Sequence, residues 1–339
     1  MDGSDPENGA GAPVKPEAVE SAYLRLKPHI TRTPVLTSRL LDRFLGCEFF
    51  FKYEGAQKVG AFKARGALNT LLALREKNQL PERVVAYSSG NHAQAVAWAA
   101  KQLGIKAVLF IPQGASKIKM AATKAYGAEL HVSKTRQEAE AEANTLALAR
   151  GSFLLPPYDH DDVIAGQGTA AYEAWDELKK FDAVFAPCGG GGLISGTFLA
   201  TRLFSAEAEV FAAEPVIAND AAQSFRTGKI VKFEESPKTI ADGVRTLSVS
   251  PRTFHFIRQL DGFFEITEEE ILYWSQWLMH LLKVTVEPTS ALGMAAAHKW
   301  LREGNKRKRV LVILSGANLD SDTYGRIWAE DHLSRLPAL

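Results

Sequence analysis

Four consecutive glycines follow a short apolar segment near the middle of the chain. Residues 183–188 read Ala-Val-Phe-Ala-Pro-Cys, and residues 189–193 read Gly-Gly-Gly-Gly-Leu. Glycine is needed where backbone N–H groups must approach an anion closely, and a helix that begins there adds the positive end of its dipole. The sequence therefore predicts a phosphate-binding loop at residues 189–193. Four glycines in succession argue against a purely structural turn.

Two other nucleotide motifs are weaker candidates. Gly190, Gly192 and Gly196 resemble a dinucleotide fingerprint, and Glu214 ends the next apolar segment about where a ribose-binding acid would lie. The glycine spacing departs from G-x-G-x-x-G, but a dinucleotide-dependent oxidoreductase stays open as an alternative. A P-loop is excluded at residues 55–62, because Ala-Phe stands where Lys and Ser or Thr are required.

A lysine near a predicted helix start is the second candidate for chemistry. Residues 52–69 are predicted to form a strand, a glycine-containing loop and a helix, with Lys63 near the beginning of that helix. The positive end of the helix dipole disfavours an ammonium group, and a Schiff-base lysine must lose its proton. Taken alone, a lysine of this kind is more commonly a solvated surface residue. Its role therefore depends on its neighbours.

Two more apolar segments end in small polar residues. Residues 88–92 read Ser-Ser-Gly-Asn-His before a predicted helix over 91–103, and the N–H groups at that helix start can receive a carboxylate. An ordinary N-cap explains the same residues, and a single histidine is more commonly structural than catalytic. Residues 315–318, Ser-Gly-Ala-Asn, follow the apolar segment 310–314, where turn chemistry is the alternative.

All four segments lie at the ends of predicted strands. Short β-branched runs alternate with segments of helical period, which indicates parallel sheets covered on both faces. We predict an α/β fold of two three-layer lobes with largely parallel sheets and a cleft between them, where ligands bind beyond the carboxyl ends of the strands. The predicted strands are 84–88, 107–112, 129–132, 183–187, 210–214 and 310–314, and helices are predicted over 91–103 and 116–126 and from about residues 192, 219, 268 and 289.

Composition limits the classes of function. The chain has 339 residues, 46% of them hydrophobic, and 40 Lys plus Arg balance 39 Asp plus Glu, so no basic surface indicates nucleic acid or membrane. Two cysteines, Cys47 and Cys188, are too few for a disulfide framework and suit a reducing compartment. The start of the chain lacks a signal-peptide core, and no apolar run is long enough to span a bilayer. We expect a cytoplasmic protein that binds small molecules and has a mobile tail over residues 1–15.

Taken together, the segments resemble the fold-type II pyridoxal-phosphate enzymes, which have the tryptophan synthase beta-like fold. The resemblance is to the serine racemase and serine/threonine dehydratase branch, and order and spacing match over nearly the whole chain. The matching segments are residues 60–67, 88–92, 163–169, 189–193, 213–215, 240–244, 286–289 and 315–318.

The resemblance implies a role for each segment. Lys63 would bind the cofactor, pyridoxal 5'-phosphate, and would later remove the substrate's α-proton. Phe62 would lie against the pyridine ring, Asn91 at its 3'-oxygen and Ser315 at its nitrogen. The full set of cofactor-binding residues would be Phe62, Lys63, Asn91, Gly189, Gly190, Gly191, Gly192, Leu193, Gly243 and Ser315. The substrate carboxylate would be bound by Ser88, Ser89, Asn91 and His92.

The implied reaction is an α,β-elimination that deaminates an amino acid. L-Serine, L-threonine or a related β-hydroxy amino acid, such as hydroxyaspartate, would give a 2-keto acid and ammonia. A hydroxyl at the ring nitrogen cannot keep that nitrogen protonated, so Ser315 makes the ring a weaker electron sink and favours prompt loss of the β-hydroxyl. The alternative is an amino-acid racemase, or a bifunctional enzyme, in which Lys63 and Ser89 exchange protons on opposite faces. The dinucleotide oxidoreductase is the remote alternative.

A cation site, a domain division and a homodimer also follow from the resemblance. Glu214, the carbonyl of Ala218 and Asp220 match a segment where hard oxygens hold magnesium or calcium. A helix N-terminus with acidic residues is the alternative. Residues 16–82 plus 159–339 would form a large cofactor-binding domain and residues 83–158 a small mobile domain.

Some positions depart from the family pattern. Ala61, Ala93 and Ala317 stand where racemases commonly have other residues, and they favour the dehydratase interpretation. The nucleotide-effector site of animal serine racemases is only partly kept, because Arg39 and Val59 do not match it. We therefore do not expect activation by ATP.

Overall fold

Strands and helices alternate along the chain and form two sheets with helices on their faces. The computed structural model describes residues 13–88, 90–114, 117–305 and 308–339, and the side chains of residues 117–119 are outside that description. The strands are β1 (Val35–Leu36), β2 (Glu48–Tyr53), β3 (Arg83–Tyr87), β4 (Lys106–Pro112), β5 (Glu129–Ser133), β6 (Ser152–Leu154), β7 (Ala183–Pro187), β8 (Glu209–Pro215), β9 (Gly262–Ile266) and β10 (Arg309–Leu314). The α-helices are α1 (Glu17–Leu26), α2 (Arg39–Leu45), α3 (Lys63–Glu76), α4 (Asn91–Leu103), α5 (Lys117–Ala125), α6 (Arg136–Ala147), α7 (Asp161–Leu178), α8 (Gly192–Phe204), α9 (Asp220–Thr227), α10 (Pro251–Ile257), α11 (Glu268–Leu282), α12 (Pro288–Arg302) and α13 (Ser321–Ile327).

The larger sheet has six strands in the order β1-β2-β10-β7-β8-β9. The strands β2, β10, β7, β8 and β9 are parallel, and only β1 pairs antiparallel with its neighbour. The carboxyl ends of parallel strands meet at one edge of a sheet. The segments that follow β2, β7, β8 and β10 therefore lie along the same edge.

The smaller sheet has four parallel strands in the order β5-β4-β3-β6. All four strands fall within residues 83–154, which is inside the predicted small domain. The domain boundaries and the mobility of that unit stay predictions. The predicted tail over residues 1–15 lies mostly outside the described residues.

Both faces of the larger sheet are buried, as a parallel sheet between helices requires. Alternate residues of β10 separate into two apolar clusters: Val310, Val312 and Leu314 lie on one side, and Leu311 and Ile313 lie on the other. The smaller sheet repeats the pattern, with Val84 and Ala86 in one cluster and Val85 in another. The chain therefore has two three-layer α/β units, and the predicted fold class is confirmed.

The predicted elements agree with the structure to within one or two residues. β7 spans residues 183–187, α4 spans 91–103 and α8 begins at residue 192, as the sequence predicts. Gly104 ends α4 in the left-handed conformation, with φ +67°, which explains why glycine stands there. Among the described residues, no helix is long and apolar enough to cross a membrane.

Candidate active site

Lys63 is the first residue of α3, at the carboxyl edge of the larger sheet. Its Nζ donates a hydrogen bond to the carbonyl oxygen of Pro157 over 2.7 Å and lies 5.1 Å from the centre of the Phe62 ring. Burial lowers the pKa of Lys63 to about 8, although the charge of Glu287 acts in the opposite direction. An amine with this pKa is about one tenth deprotonated at pH 7, whereas an ordinary lysine is almost fully protonated.

The loop before α3 and the loop after β10 are hydrogen-bonded to each other, and this places Lys63 close to Ser315. The Phe62 N–H donates to the Ser315 carbonyl over 3.0 Å, and the Ala317 N–H donates to the Gly60 carbonyl over 3.0 Å. Gly60 has φ +67°, and a Cβ there would lie 2.7 Å from Oδ1 of Asn318. Glycine is therefore required by both the backbone conformation and the close approach.

Val59, just before Gly60, also has a positive φ, at 59°. This conformation is unusual for a β-branched residue and costs free energy. The surrounding contacts maintain it, because the Val59 carbonyl accepts a hydrogen bond from Nδ2 of Asn318 over 2.8 Å. The loop that delivers Lys63 is thus held in a strained conformation by the loop after β10.

A buried charge cluster of Lys52, Glu54, Arg65 and Glu173 anchors the first turn of α3, and each of its side chains is at most 1% exposed. Arg65 contacts Glu54 over 2.7 Å and Glu173 over 2.8 Å. Lys52 Nζ lies 2.7 Å from Glu173. Since two positive and two negative groups compensate each other, the cluster can stay ionised without water. Through Arg65, which is two residues after Lys63, the cluster connects α3 to β2 and α7.

The glycine loop, residues 189–192, connects β7 to α8 and leaves no room for side chains. A Cβ on Gly190 would lie 2.2 Å from the ring of Tyr158, and one on Gly192 would lie 2.9 Å from Cβ of the same tyrosine. Gly191 has φ +90°, which favours glycine. The loop therefore presents backbone N–H groups at the start of α8, as an anion-binding loop requires. Leu193, the second residue of α8, is buried below them.

A second loop lies against the glycine loop. A Cβ on Gly189 would lie 3.1 Å from the Cα of Val244 and 3.4 Å from the carbonyl of Gly243. The Gly243 N–H donates to Oγ1 of Thr289 over 3.1 Å. Thr246, three residues later, has a buried hydroxyl oxygen without a hydrogen-bond partner among the described residues.

Tyr158 connects the lysine to the glycine loop. Its ring packs on Gly190, its Cβ lies close to Gly192, and Pro157, the preceding residue, accepts the hydrogen bond from Lys63. The amine of Lys63 and the predicted phosphate-binding loop are therefore neighbours, although 126 positions separate Lys63 from Gly189 in the sequence (189 minus 63).

The predicted carboxylate-binding segment follows β3 and leads into α4. The first hydrogen bond of α4 runs from the Gln94 N–H to the Gly90 carbonyl, so the N–H groups of Asn91 and His92 precede the intrahelical bonds. The Ser88 N–H already donates to the Phe110 carbonyl over 3.1 Å, which leaves the Ser88 hydroxyl as its available donor. Ser89 lies outside the described residues.

The side chain of His92 is buried, and its Nε2 lies 3.0 Å from the carbonyl of Leu155. A carbonyl only accepts hydrogen bonds, so Nε2 carries the proton in this contact. Burial, with a smaller effect from Lys63, lowers the pKa of His92 to about 3. The ring is neutral at physiological pH, so only the backbone N–H of His92 is suited to a carboxylate.

Asn91 and Ser315 meet at a buried carboxylate. Nδ2 of Asn91 donates to Glu287, with distances of 3.2 and 3.0 Å to its two oxygens, and Oγ of Ser315 lies 3.3 Å from Oε1 of the same residue. Oδ1 of Asn91 accepts from Nδ2 of Asn318 over 2.8 Å, so the orientation of its amide is set from both ends. Ser315 is fully buried at the end of β10.

Sequence reasoning assigned no role to Glu287. It stands directly before the proline that opens α12, and its carboxylate is 1% exposed. The only local signal is a glutamate before a helix-starting proline, within a segment that the resemblance already matched. Its proximity to Asn91, 196 positions away, required the fold.

The predicted cation-binding residues lie at the carboxyl end of β8 and just after it, since Glu214 belongs to the strand and Ala218 and Asp220 follow it. Glu214 and Asp220 are fully buried, and Ala218 closes the short 3₁₀ turn between them. One oxygen of Glu214 and both carboxylate oxygens of Asp220 have no hydrogen-bond partner among the described residues. Burial, reinforced by the charge of Asp220, raises the pKa of Glu214 well above its ordinary value, and burial raises that of Asp220 to about 7. The described chain contains no group of three or more His, Cys, Asp and Glu side chains that could hold a metal.

The fold and the site together define a class of protein. The amine of Lys63, with its lowered pKa, lies beside the glycine loop, where a Cβ would clash with Tyr158. The buried hydroxyl of Ser315 and the amide of Asn91 meet near that amine. These groups fit a cofactor that has an aldehyde, a phosphate and a polar ring. The chain matches the family model "Pyridoxal-phosphate dependent enzyme" over residues 26–316. The chain belongs to this family of enzymes, and its cofactor is pyridoxal phosphate. The family match favours this cofactor over the dinucleotide alternative.

Known relatives cover nearly the whole chain. The L-threo-3-hydroxyaspartate ammonia-lyase of Saccharomyces cerevisiae is 44% identical over 91% of this chain and 94% of its own length. The serine racemase of Schizosaccharomyces pombe is 43% identical, with coverages of 92% and 96%. Among solved structures, the T.th. threonine deaminase is 41% identical with a TM-score of 0.85 and coverages of 90% and 99%. The predicted resemblance to racemases and dehydratases is confirmed.

Proposed function

We propose that this enzyme deaminates L-serine, L-threonine or a related β-hydroxy amino acid to a 2-keto acid and ammonia by α,β-elimination. The observation that carries the proposal is the amine of Lys63, whose pKa burial lowers to about 8 beside the glycine loop. The ammonia-lyase and threonine deaminase among its relatives support this reaction.

The chain would hold pyridoxal phosphate at both ends of the site. Lys63 would bind its aldehyde, residues 189–193 with Gly243 would surround its phosphate, and Phe62 would pack against its ring. When bound, the cofactor withdraws electrons from the substrate's α-carbon and so makes the α-proton acidic. Asn91 and Ser315 would hold the 3'-oxygen and the ring nitrogen.

Lys63 would act as the base that removes the α-proton. A catalytic base works best when its pKa is near the operating pH, and a pKa of about 8 leaves a useful neutral fraction at physiological pH. The start of α4 would hold the substrate carboxylate through the N–H groups of Asn91 and His92, which orients the α-proton. His92 would not exchange protons, because its ring is neutral and already donates to Leu155.

Ser315 favours elimination over transamination. Its hydroxyl can offer a hydrogen bond to the ring nitrogen but no readily transferred proton. The Ser315 hydroxyl also lies 3.2 Å from Oγ of Ser290. The Ser290 hydroxyl in turn donates a hydrogen bond to the Gly316 carbonyl over 2.8 Å. This arrangement supports a neutral ring nitrogen and prompt loss of the β-hydroxyl.

Racemisation is the second candidate function. The serine racemase of Schizosaccharomyces pombe, at 43% identity, favours it, and Ser89 would exchange the proton on the face opposite Lys63. The replacement Ser89→Ala is expected to abolish racemisation and to spare much of the L-serine dehydration. Equal racemisation by the variant and the parent would rule out Ser89 as the second base.

A screen of L- and D-amino acids that measures ammonia, keto acid and enantiomer together tests the proposal. We expect ammonia and keto acid in equal amounts from at least one β-hydroxy amino acid. Lys63→Ala is the matched control and should release neither product. Inversion of configuration without ammonia would replace the lyase by the racemase, and no product from any substrate would overturn both.

We also propose that Glu214, the Ala218 carbonyl and Asp220 bind magnesium or calcium. The two buried carboxylates have three oxygens without a hydrogen-bond partner among the described residues, which is costly unless a cation or a proton compensates them. Hard oxygen donors of this type suit these two cations. A chelator should lower the melting temperature of the parent enzyme, and restored magnesium or calcium should raise it again.

We also propose a homodimer and a mobile small domain over residues 83–158, both supported by the family resemblance. We propose a cytoplasmic location because the two buried free cysteines suit a reducing compartment. Light scattering on purified enzyme measures its mass in solution, and a monomer would contradict the dimer. Hydrogen exchange with and without substrate tests the small domain, and fractionation of cells tests the location.

A further inference from the structure

A guanidinium group lies at the carboxyl edge of the smaller sheet, where it faces the larger sheet. Arg136 is the first residue of α6, which follows β5, and its side chain is exposed. Nη1 of Arg136 donates a hydrogen bond to the carbonyl oxygen of Arg245 over 2.8 Å. Arg245 follows the Gly243 loop that packs on the glycine loop. The guanidinium therefore spans the gap between the two sheets at the edge of the site.

Two tyrosines show how close the charge of Arg136 is to the site. Tyr158 packs on the glycine loop, and its hydroxyl donates to the Ser248 carbonyl over 3.1 Å. Burial raises the pKa of Tyr158 to about 12, and the positive charge of Arg136 acts against that rise. Burial and Glu140 raise the pKa of Tyr87, which precedes the carboxylate-binding segment, and Arg136 opposes this rise as well. Arg136 thus acts electrostatically on both walls of the cleft.

Arg136 also has N–H groups that can donate further hydrogen bonds. A guanidinium carries its N–H groups in a planar fork that matches a carboxylate, and here only Nη1 has an acceptor among the described residues. Glu140, one turn further along α6, accepts from the Tyr87 hydroxyl over 3.0 Å. The buried Thr246 hydroxyl, which lacks a partner among the described residues, is one position beyond Arg245. A cation and a hydroxyl donor are therefore available next to the glycine loop.

We propose that Arg136 determines specificity by binding the second carboxylate of a dicarboxylic β-hydroxy amino acid, of the 3-hydroxyaspartate type. The inference rests on the proposed elimination and names its substrate class. The start of α4 takes one carboxylate, and a second carboxylate that leaves water needs its own cation and hydrogen-bond donors. Arg136 supplies them at the mouth of the cleft. L-Serine and L-threonine carry no group that uses them.

The test compares the two substrate classes on three variants of the cofactor-loaded enzyme. Arg136→Gln removes the charge, and Arg136→Lys keeps the charge but loses the planar fork. Arg150→Gln is the matched control, because Arg150 is an exposed arginine that follows the other end of α6. For each protein, kcat/KM is measured with L-threo-3-hydroxyaspartate and with L-serine through keto-acid formation. The quantity compared is the ratio of the two values.

The ratio is expected to fall roughly 10- to 100-fold in Arg136→Gln, because a hydrogen-bonded charged partner is lost, and to fall less in Arg136→Lys. Arg150→Gln should keep the parent ratio. A second measurement does not depend on turnover: L-aspartate and L-alanine lack a β-hydroxyl, and their binding is followed by the absorbance of the bound cofactor. Arg136→Gln should weaken L-aspartate binding more than L-alanine binding.

An unchanged ratio in Arg136→Gln, or equal weakening of L-aspartate and L-alanine, would overturn the inference. A parent enzyme that releases ammonia from L-serine but not from L-threo-3-hydroxyaspartate would also overturn it and would leave the proposed elimination standing. A parent enzyme that releases ammonia from neither substrate would instead overturn the proposed function.

Discussion

Replacing Arg65 by methionine removes the centre of the buried charge cluster while keeping much of the side-chain volume. Arg65 makes four contacts with the carboxylate oxygens of Glu54 and Glu173, at 2.7, 2.8, 2.8 and 2.9 Å. Without it, Lys52 alone faces two carboxylates that are at most 1% exposed. Breaking a buried ion pair by removal of one partner typically costs about 3–5 kcal/mol, because the other charge is left uncompensated. We expect the free energy of unfolding to fall by about that amount.

Urea unfolding of the parent and the variant measures the effect, and Arg32→Met is the matched control. Arg32 also faces two carboxylates, those of Asp176 at 3.3 Å and Glu177 at 3.6 Å, but its side chain is 44% exposed. An exposed ion pair contributes only about 0–1 kcal/mol, so this control should lose little stability. A loss in Arg65→Met no larger than in Arg32→Met would contradict this expectation, since Arg65 is buried and makes the shorter contacts of the two.

The pH dependence supplies an independent check. Burial raises the pKa of Glu173, but Arg65 and then Lys52 outweigh burial, so the net shift is downward. A carboxylate with a depressed pKa stabilises the fold above its unfolded pKa and loses that contribution as the pH falls through the folded value. Methionine removes the main cause of the depression. The stability difference between parent and Arg65→Met should therefore narrow below about pH 4.

Three further predictions test other parts of the site. Gly190→Ala should weaken binding of pyridoxal phosphate to the cofactor-free enzyme, because its Cβ would lie 2.2 Å from the Tyr158 ring. Gly325→Ala is the control and should not weaken binding, because no atom lies within 4 Å of the added Cβ. Equal affinities of the two variants in a fluorescence titration would contradict the close packing of the glycine loop. Glu287→Gln should lower the pKa of Lys63 below about 8, because the negative charge that raises it is gone. The pH dependence of the rate of cofactor reconstitution measures that pKa, and an upward shift would contradict the assignment. Asp220→Asn should abolish the effect of a chelator on the melting temperature, and a parent enzyme that ignores the chelator would count against the cation site.

The loops of the site could be predicted because each follows a strand with a strong local signal. The strand β7 is a continuous apolar run, and the four glycines that follow it after Cys188 leave few structural interpretations. The same reasoning located the start of α4 and the loop after β10. Parallel pairing places the ends of β7 and β10 at one edge of the larger sheet, whereas the start of α4 follows β3 of the smaller sheet.

The environment of Lys63 could not be predicted, because it depends on distant parts of the chain. Its pKa is lowered by burial, and its hydrogen-bond acceptor, Pro157, is 94 positions away. Only the fold shows that Tyr158 covers the glycine loop and that Glu287 joins Asn91 to Ser315.

The buried charge cluster was missed for the same reason. Lys52, Glu54 and Arg65 are polar residues within a recognised motif, and their local pattern is typical of a solvated surface. Glu173, 108 positions from Arg65, supplies the second negative charge, so that these three residues can be buried as charged groups. The short strand β6 was also missed, since its three residues are only partly buried and give no clear alternation.

The proposed chemistry depends on Lys63, and its role can be tested by borohydride reduction of the purified enzyme followed by mass spectrometry of its peptides. Reduction converts a Schiff base between the cofactor and a lysine into a stable bond that remains on the peptide. We predict a single phosphopyridoxyl group on Lys63, which disappears in Lys63→Ala. A label on another lysine, or no label on a protein that contains the cofactor, would show that Lys63 does not bind the cofactor.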